Sequence, residues 1–177
     1  MFRQILAACL FSAGMATMAL ADDLEDFALI EGVWRSQTQF VAEDGSWAAP
    51  VEAQATGQTV LGGAFYELDA IIPFPGAAFT MRMVFAYDRF NQAHRLIIFD
   101  DINGYADLYV GGAHDAGGVR MDNLTTGTGF PNTEGGKVFG QILLRATGTG
   151  FEILAEASVD DGETWTPYMR IAFEPRS

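Results

Sequence analysis

Cysteine, lysine and histidine are nearly missing from these 177 residues. Cys9 is the only cysteine, Lys137 the only lysine, and His94 and His114 the only histidines. One cysteine excludes an internal disulfide and a Cys-rich metal site. Two imidazoles leave little for a zinc centre. Basic charge is equally scarce: ten Lys and Arg stand against 23 Asp and Glu, for a net charge of −13. Such a surface repels phosphate backbones and anionic headgroups, which argues against nucleic-acid partners and electrostatic membrane binding. The one long apolar run, residues 5–20, is short for a bilayer and is broken by Ser12, Gly14 and Thr17, so no membrane insertion is expected. There is no internal repeat, no low-complexity tract and no linker. With 49% hydrophobic residues, the chain can pack one core, which excludes disorder and several domains.

The amino terminus reads as an address. Arg3 is the only charge before residue 22. An apolar stretch follows it, and Ala19-Leu20-Ala21 then precedes Asp22-Asp23. That is the order of a cleavable signal peptide. A cut after Ala21 divides the chain into a leader, 1–21, and a single domain, 22–177, in the periplasm or outside the cell. Leu6-Ala7-Ala8-Cys9 has the local look of a lipoprotein box, but only eight residues precede Cys9, too few for an export signal's apolar core. Cleavage after Ala21 removes the only cysteine, and with nine basic residues left the net charge becomes −14.

The remainder reads as strands. Phe79-Thr80-Met81-Arg82-Met83-Val84-Phe85-Ala86-Tyr87 carries a large apolar residue at every odd position, and Phe151 to Ala157 alternates likewise, with Glu152 and Glu156 on the other face. Residues 95–99 and 138–144 are more continuously apolar. Glu43-Asp44-Gly45, Asp101-Ile102-Asn103-Gly104 and Asp160-Asp161-Gly162 have the chemistry of tight turns. Ten strands are predicted: 31–41, 49–60, 63–72, 78–88, 93–101, 104–111, 117–125, 137–147, 150–158 and 166–174. Only residues 24–30 look helical. The fold class is therefore all-β, an antiparallel meander closed as a barrel or packed as a sandwich.

Four segments together resemble the bacterial lipocalin-like family known as domain of unknown function 1579. They are Ile30-Glu31-Gly32-Val33-Trp34 after the short helix, Leu61-Gly62-Gly63-Ala64-Phe65-Tyr66, Phe85-Ala86-Tyr87-Asp88, and Asp160-Asp161-Gly162-Glu163-Thr164-Trp165. They span nearly the whole predicted mature chain. The resemblance implies an up-and-down β-barrel of eight to ten strands, similar to lipocalins and fatty-acid-binding proteins, with an interior able to hold a small apolar molecule. It implies no activity. It also implies that Trp34 closes one end of the barrel.

The chemistry-bearing candidates are few. Ser158 to Trp165 fits the Asp-box pattern Ser-x-Asp-x-Gly-x-Thr-Trp known from sialidase propellers, and its content here is a turn. A glycosidase would need a carboxylate pair or a tyrosine nucleophile that the motif does not supply. Haem-binding nitrobindin-type barrels also open on Gly-x-Trp, but their Gly-x-Gly continuation is replaced by Arg35-Ser36-Gln37, and no histidine follows His114. Both histidines read as surface residues, so neither haem nor any other cofactor is expected. Asp100, Asp101, Asn103 and Asp107 lack the spacing of a calcium loop, and no metal site is assigned. Glu67 and Asp69 alternate away from the apolar face and should be solvated. No Gly-x-Ser-x-Gly elbow is present.

The stripe Phe79, Met81, Met83, Phe85 and Tyr87 remains, either ordinary core or the wall of a cavity. Of Tyr66, Arg82 and Tyr105, polar groups that could orient a ligand head, Arg82 alternates to the face opposite the stripe, so Tyr66 and Tyr105 are the candidates. With Trp34, these eight residues form the candidate binding set. Catalytic residues are not assigned. The leading expectation is a non-enzymatic binder of a small hydrophobic or amphipathic molecule. The alternatives are an isomerase or hydrolase acting inside the barrel and a partner-binding domain with a filled core.

Overall fold

A computed structural model describes residues 22–176 apart from 75, 103 and 134; the predicted leader, including Cys9, lies outside the described residues. A helical turn, α1 (Asp22–Glu25), and a 3-10 turn (Ala28–Ile30) precede eleven strands. These are β1 (Gly32–Phe40), β2 (Val51–Val60), β3 (Phe65–Phe74), β4 (Ala77–Asp88), β5 (Ala93–Asp100) and β6 (Ala106–Ala113), then β7 (Val119–Asp122), β8 (Phe130–Pro131), β9 (Lys137–Ala146), β10 (Phe151–Ser158) and β11 (Thr166–Pro175). All ten expected strands are present. β8 is an addition of two residues beside the start of β9. β7 is shorter than expected because Asn123 leaves the ladder: its backbone N–H donates to the Gly140 carbonyl, while its side-chain Oδ1 accepts from Gly140 N–H.

Successive strands pair antiparallel from β1 to β7, β7 pairs with β9, β9 with β10, β10 with β11, and β11 returns to β1. The result is a closed, ten-stranded antiparallel β-barrel with a short N-terminal helix. Closure fixes the faces, because a period of two sends alternate side chains inward. Trp34, Ser36 and Thr38 point in from β1, Leu68, Ala70 and Ile72 from β3, and Met81, Met83 and Phe85 from β4. Phe151, Ile153 and Ala155 from β10 and Met169, Ile171 and Phe173 from β11 complete the same interior. The opposite face is salted. Arg82 chelates Asp69 at 2.7 Å and lies 3.8 Å from Glu67, so both carboxylates point out from the barrel.

One end of the barrel is plugged. Residues 22–30 fold across it and bury Phe27 and Ile30 completely. Trp34 Nε1 donates to the Ile30 carbonyl at 2.8 Å, and the Trp34 ring meets Phe151 edge-on at 5.0 Å. This approach requires glycine at 57: a Cβ there would lie 1.9 Å from the Ile30 carbonyl oxygen. His94, expected at the surface, belongs to the plug and is 4% exposed. Its position on β5 alternates with Leu96 into the barrel, and Phe27 and Tyr87 pack edge-on against its ring at 5.3 and 5.2 Å. Nε2 faces two acceptors, the Asp23 carbonyl at 3.1 Å and Asp26 Oδ2 at 3.0 Å, so this nitrogen carries the proton.

The Asp-box hairpin between β10 and β11 behaves as turn chemistry predicts. Asp160 Oδ1 accepts from Ser158 Oγ at 2.7 Å and from Thr164 N–H at 2.9 Å, Oδ2 accepts from Thr164 Oγ1 at 2.6 Å, and Gly162 takes φ +86°. These donors, led by the Thr164 hydroxyl, hold the Asp160 carboxyl down at about 2.

Candidate functional site

A cavity of about 270 Å³ opens inside the barrel at the end opposite the plug. Its wall comes from nine strands, β8 giving Phe130, and from the β5–β6 connection carrying Ile102 and Tyr105. The side chains are four Phe, three Tyr, three Met, four Ile and two Asp, with no Lys, Arg or His. A concave, mostly apolar wall with a few polar groups is the usual form of a small-molecule site. At about 30 Å³ per water the space equals roughly nine waters, the lower end of ligand-pocket sizes. A larger recess of about 870 Å³ lies on the barrel's outside, where Phe65, Val84, Ala86, Ile97 and Leu108 form an apolar strip. It is walled by one sheet face and bordered by the Arg95–Asp88 ion pair at 2.8 Å. The interior cavity is the better site because strands surround it.

Of the eight residues singled out in the sequence, Phe79, Met81, Met83 and Tyr105 line this cavity. Phe85 and Trp34 are buried toward the plugged end, where Phe85 packs 5.1 Å from Phe27. Tyr66 packs partly buried against the same core, paired in register with Phe85. Tyr87 sits beside His94, and a hydrogen bond to Asp23 heads the causes that raise its phenol. The Phe/Met stripe thus divides along its length. The half toward Phe79 is cavity wall, and the half toward Tyr87 is plug.

Several wall residues carry sequence signals that alternation could have supplied. Phe40 continues the inward series Trp34, Ser36, Thr38, and Phe74 continues Leu68, Ala70, Ile72. Tyr105, Asp107 and Tyr109 alternate on one face of the β6 segment, and all three reach the cavity. Asp107 is therefore an interior residue, 2% exposed, and not part of a calcium-like turn. Its Oδ2 accepts from Asn123 Nδ2 at 2.8 Å, and its Oδ1 accepts from the Thr128 hydroxyl. The other acids of that turn are occupied elsewhere: Asp100 Oδ1 caps Ile102 N–H at 3.0 Å, and Asp101 Oδ1 accepts from Thr80 N–H at 3.0 Å.

The phenols differ in what holds them. Tyr105 donates to the Thr128 carbonyl, and its ring leans on Phe130 at 4.9 Å. Tyr109 is 3% exposed, and glycine at 140 makes room for it, since a Cβ there would lie 2.6 Å from its hydroxyl oxygen. Burial first, then the charge of Asp107, raises both phenols above the ordinary tyrosine range. Tyr168 is in the cavity because of a β-bulge. Ala155 pairs with Met169 and Glu156 with Pro167, so Tyr168 is the extra residue of β11. The bulge breaks the alternation and lets neighbouring Tyr168 and Met169 both line the interior. Burial among these walls, reinforced by Asp107, pushes the Tyr168 phenol up to about 12. The residue keeps 42% of its surface exposed, as suits a side chain at the open end of the barrel, where its carbonyl accepts from Val41 N–H just beyond β1. Its hydroxyl has no hydrogen-bond partner among the described residues.

Chemically, this arrangement offers protonated phenol donors, one carboxylate tied to Asn123 and Thr128, a second at Asp100, and a soft apolar wall. Among the described residues no three His, Asp or Glu side chains converge as a metal site would require, and no helix is long and apolar enough to cross a membrane. Neither a protein-family model nor a curated protein matches the sequence.

Proposed function

We propose that this chain is an exported lipocalin-like barrel that holds a small hydrophobic or amphipathic molecule in the unplugged half of its interior. The observation that supports this reading is the cavity itself, whose wall is fourteen apolar or aromatic side chains and two carboxylates. A barrel with a filled core would have no such space. Export to the periplasm rests on the leader-like residues 1–21, and kinship to the lipocalin-like family rests on the Gly32-Val33-Trp34 opening and its companion segments.

Native mass spectrometry of the protein purified from a periplasm, compared with its denatured mass, tests the reading. A reproducible excess mass is expected, and it should disappear when Ile153→Trp fills the cavity. A bare chain mass that stays bare after incubation with short-chain apolar compounds would refute it. The neighbouring Asp107 and Tyr109 favour a second reading. A buried carboxylate beside a protonated phenol is the minimum equipment for proton transfer inside a barrel. Turnover of a retained molecule that is lost in Asp107→Asn but kept in Phe79→Leu would support that reading.

A further inference from the structure

Resting on the interior-binding reading, we infer that the cavity selects a molecule with a positively charged head, an amine or quaternary ammonium on a short apolar body. Each arginine whose ion pair or ring contact the structure gives turns away from the interior. Arg35 pairs with Glu174, Arg82 with Asp69, Arg95 with Asp88 and Arg145 with Glu152, while Arg170 lies over the Trp47 ring at 4.7 Å. The cavity holds no cation, and its two charged groups, Asp100 and Asp107, are both acidic. A carboxylate or phosphate head would be desolvated beside like charges with no Lys or Arg in the wall to neutralise it, and a single phenol donor such as Tyr168 does not offset two acidic groups.

A cationic head meets the opposite situation. Tyr105, Tyr168, Phe79 and Phe130 present ring surfaces around the same space, and aromatic faces attract desolvated ammonium groups. The Tyr168 hydroxyl, without a hydrogen-bond partner among the described residues, adds an acceptor oxygen at the wall. Asp100 stands inward on β5, in register with Met81, and Asn at this position would keep the cap on Ile102 N–H while removing the charge. The apolar body then lies toward Met83, Ile142 and Ile153.

Calorimetric titration of the full mature protein with three probes of equal chain length tests this: octyltrimethylammonium, octanol and octanoate. The cation should bind about tenfold tighter than octanol, a factor within reach of one desolvated cation–π and charge contact, and octanoate should bind more weakly than octanol. Asp100→Asn should reduce the cation's advantage over octanol about fivefold. Asp115→Asn, an exposed acid in the β6–β7 turn at the plugged end, should change neither. Octanoate binding as tightly as octanol, or a cation advantage that survives Asp100→Asn, would overturn the charge selection while interior binding stands. Failure of all three probes to bind would instead bring down the interior-binding reading, and this inference with it.

Discussion

Replacing Gly57 by alanine adds one methyl group at the point where the plug meets the barrel. The new Cβ would lie 1.9 Å from the Ile30 carbonyl oxygen, 2.8 Å from its carbon and 2.9 Å from the Ile30 Cγ2. The first contact is roughly 1.5 Å short of an ordinary van der Waals separation, and its partner is backbone, which cannot rotate aside. The 3-10 turn must therefore lift. Ile30 O also accepts the Trp34 indole N–H at 2.8 Å, so lifting strands a buried donor, at a cost of about 1–3 kcal/mol. The accompanying overpacking of Phe27 and Ile30 costs another 1–3 kcal/mol or so. Together these give a loss of about 4 kcal/mol, which for a domain of this size lowers Tm by about 12 °C. Far-ultraviolet circular dichroism during heating reads the shift. Gly112→Ala is the matched control: a Cβ there meets nothing within 4 Å, and its effect should be neutral or slightly stabilising. A Gly57→Ala protein melting within about 2 °C of the parent, when one kcal/mol alone should move Tm by about that much, would refute the idea that residues 22–30 are seated on β2.

Three further outcomes are expected. Asp160→Ala should lower the urea midpoint at neutral pH, and the gap from the parent should close as pH falls from about 4 to below 2. The folded carboxyl is held down at about 2 against an ordinary 3.8, so its contribution is complete above the unfolded value and is lost as pH falls through the folded one; a gap independent of pH would refute this. Thr38→Val should stabilise the protein by about 1 kcal/mol, because the Thr38 and Ser36 hydroxyls are buried without hydrogen-bond partners among the described residues; a lowered midpoint in urea titration would show that something holds them. Arg82→Met should change stability by less than about 1 kcal/mol, since its ion pairs with Asp69 and Glu67 are on the half-exposed outer face. A larger loss in the same titration would contradict that placement.

Much of the barrel is legible in the sequence because its interior obeys alternation. The strand limits read from Gly, Asn and Asp in the turns fall within a few residues of the observed ones, and Trp34 closes an end as its Gly-x-Trp setting implies. The wall of the cavity is less legible for three physical reasons. Which half of an inward stripe faces empty space depends on how deep the plug reaches, and nothing local to Phe79 or Tyr87 encodes that. Tyr168 alternates outward in the sequence and is turned inward by a bulge that exists only through pairing with β10. His94 and Asp107 look like surface or turn residues by type, because polarity suggests solvent. Their burial becomes intelligible only once Asp26, Asn123 and Thr128 arrive from distant segments to bond them. The Tyr105-Ala106-Asp107-Leu108-Tyr109 alternation was the available clue to the second of these.

The two-residue β8 bears on how such a chain tolerates crowding. Closing the sheet between β9 and β10 gives each long strand neighbours on both sides, which leaves almost no unpaired backbone for another molecule to extend. β8 is the exception among the described residues. It is the shortest possible edge, it ends in Pro131, which cannot donate a hydrogen bond outward, and Pro131 sits opposite Lys137, the only lysine in the chain. Brevity, proline and lysine are the devices that blunt strand edges against intermolecular pairing. Among the described residues, a fold whose predicted mature form has no disulfide to lock it thus offers a second copy little unpaired strand edge to extend.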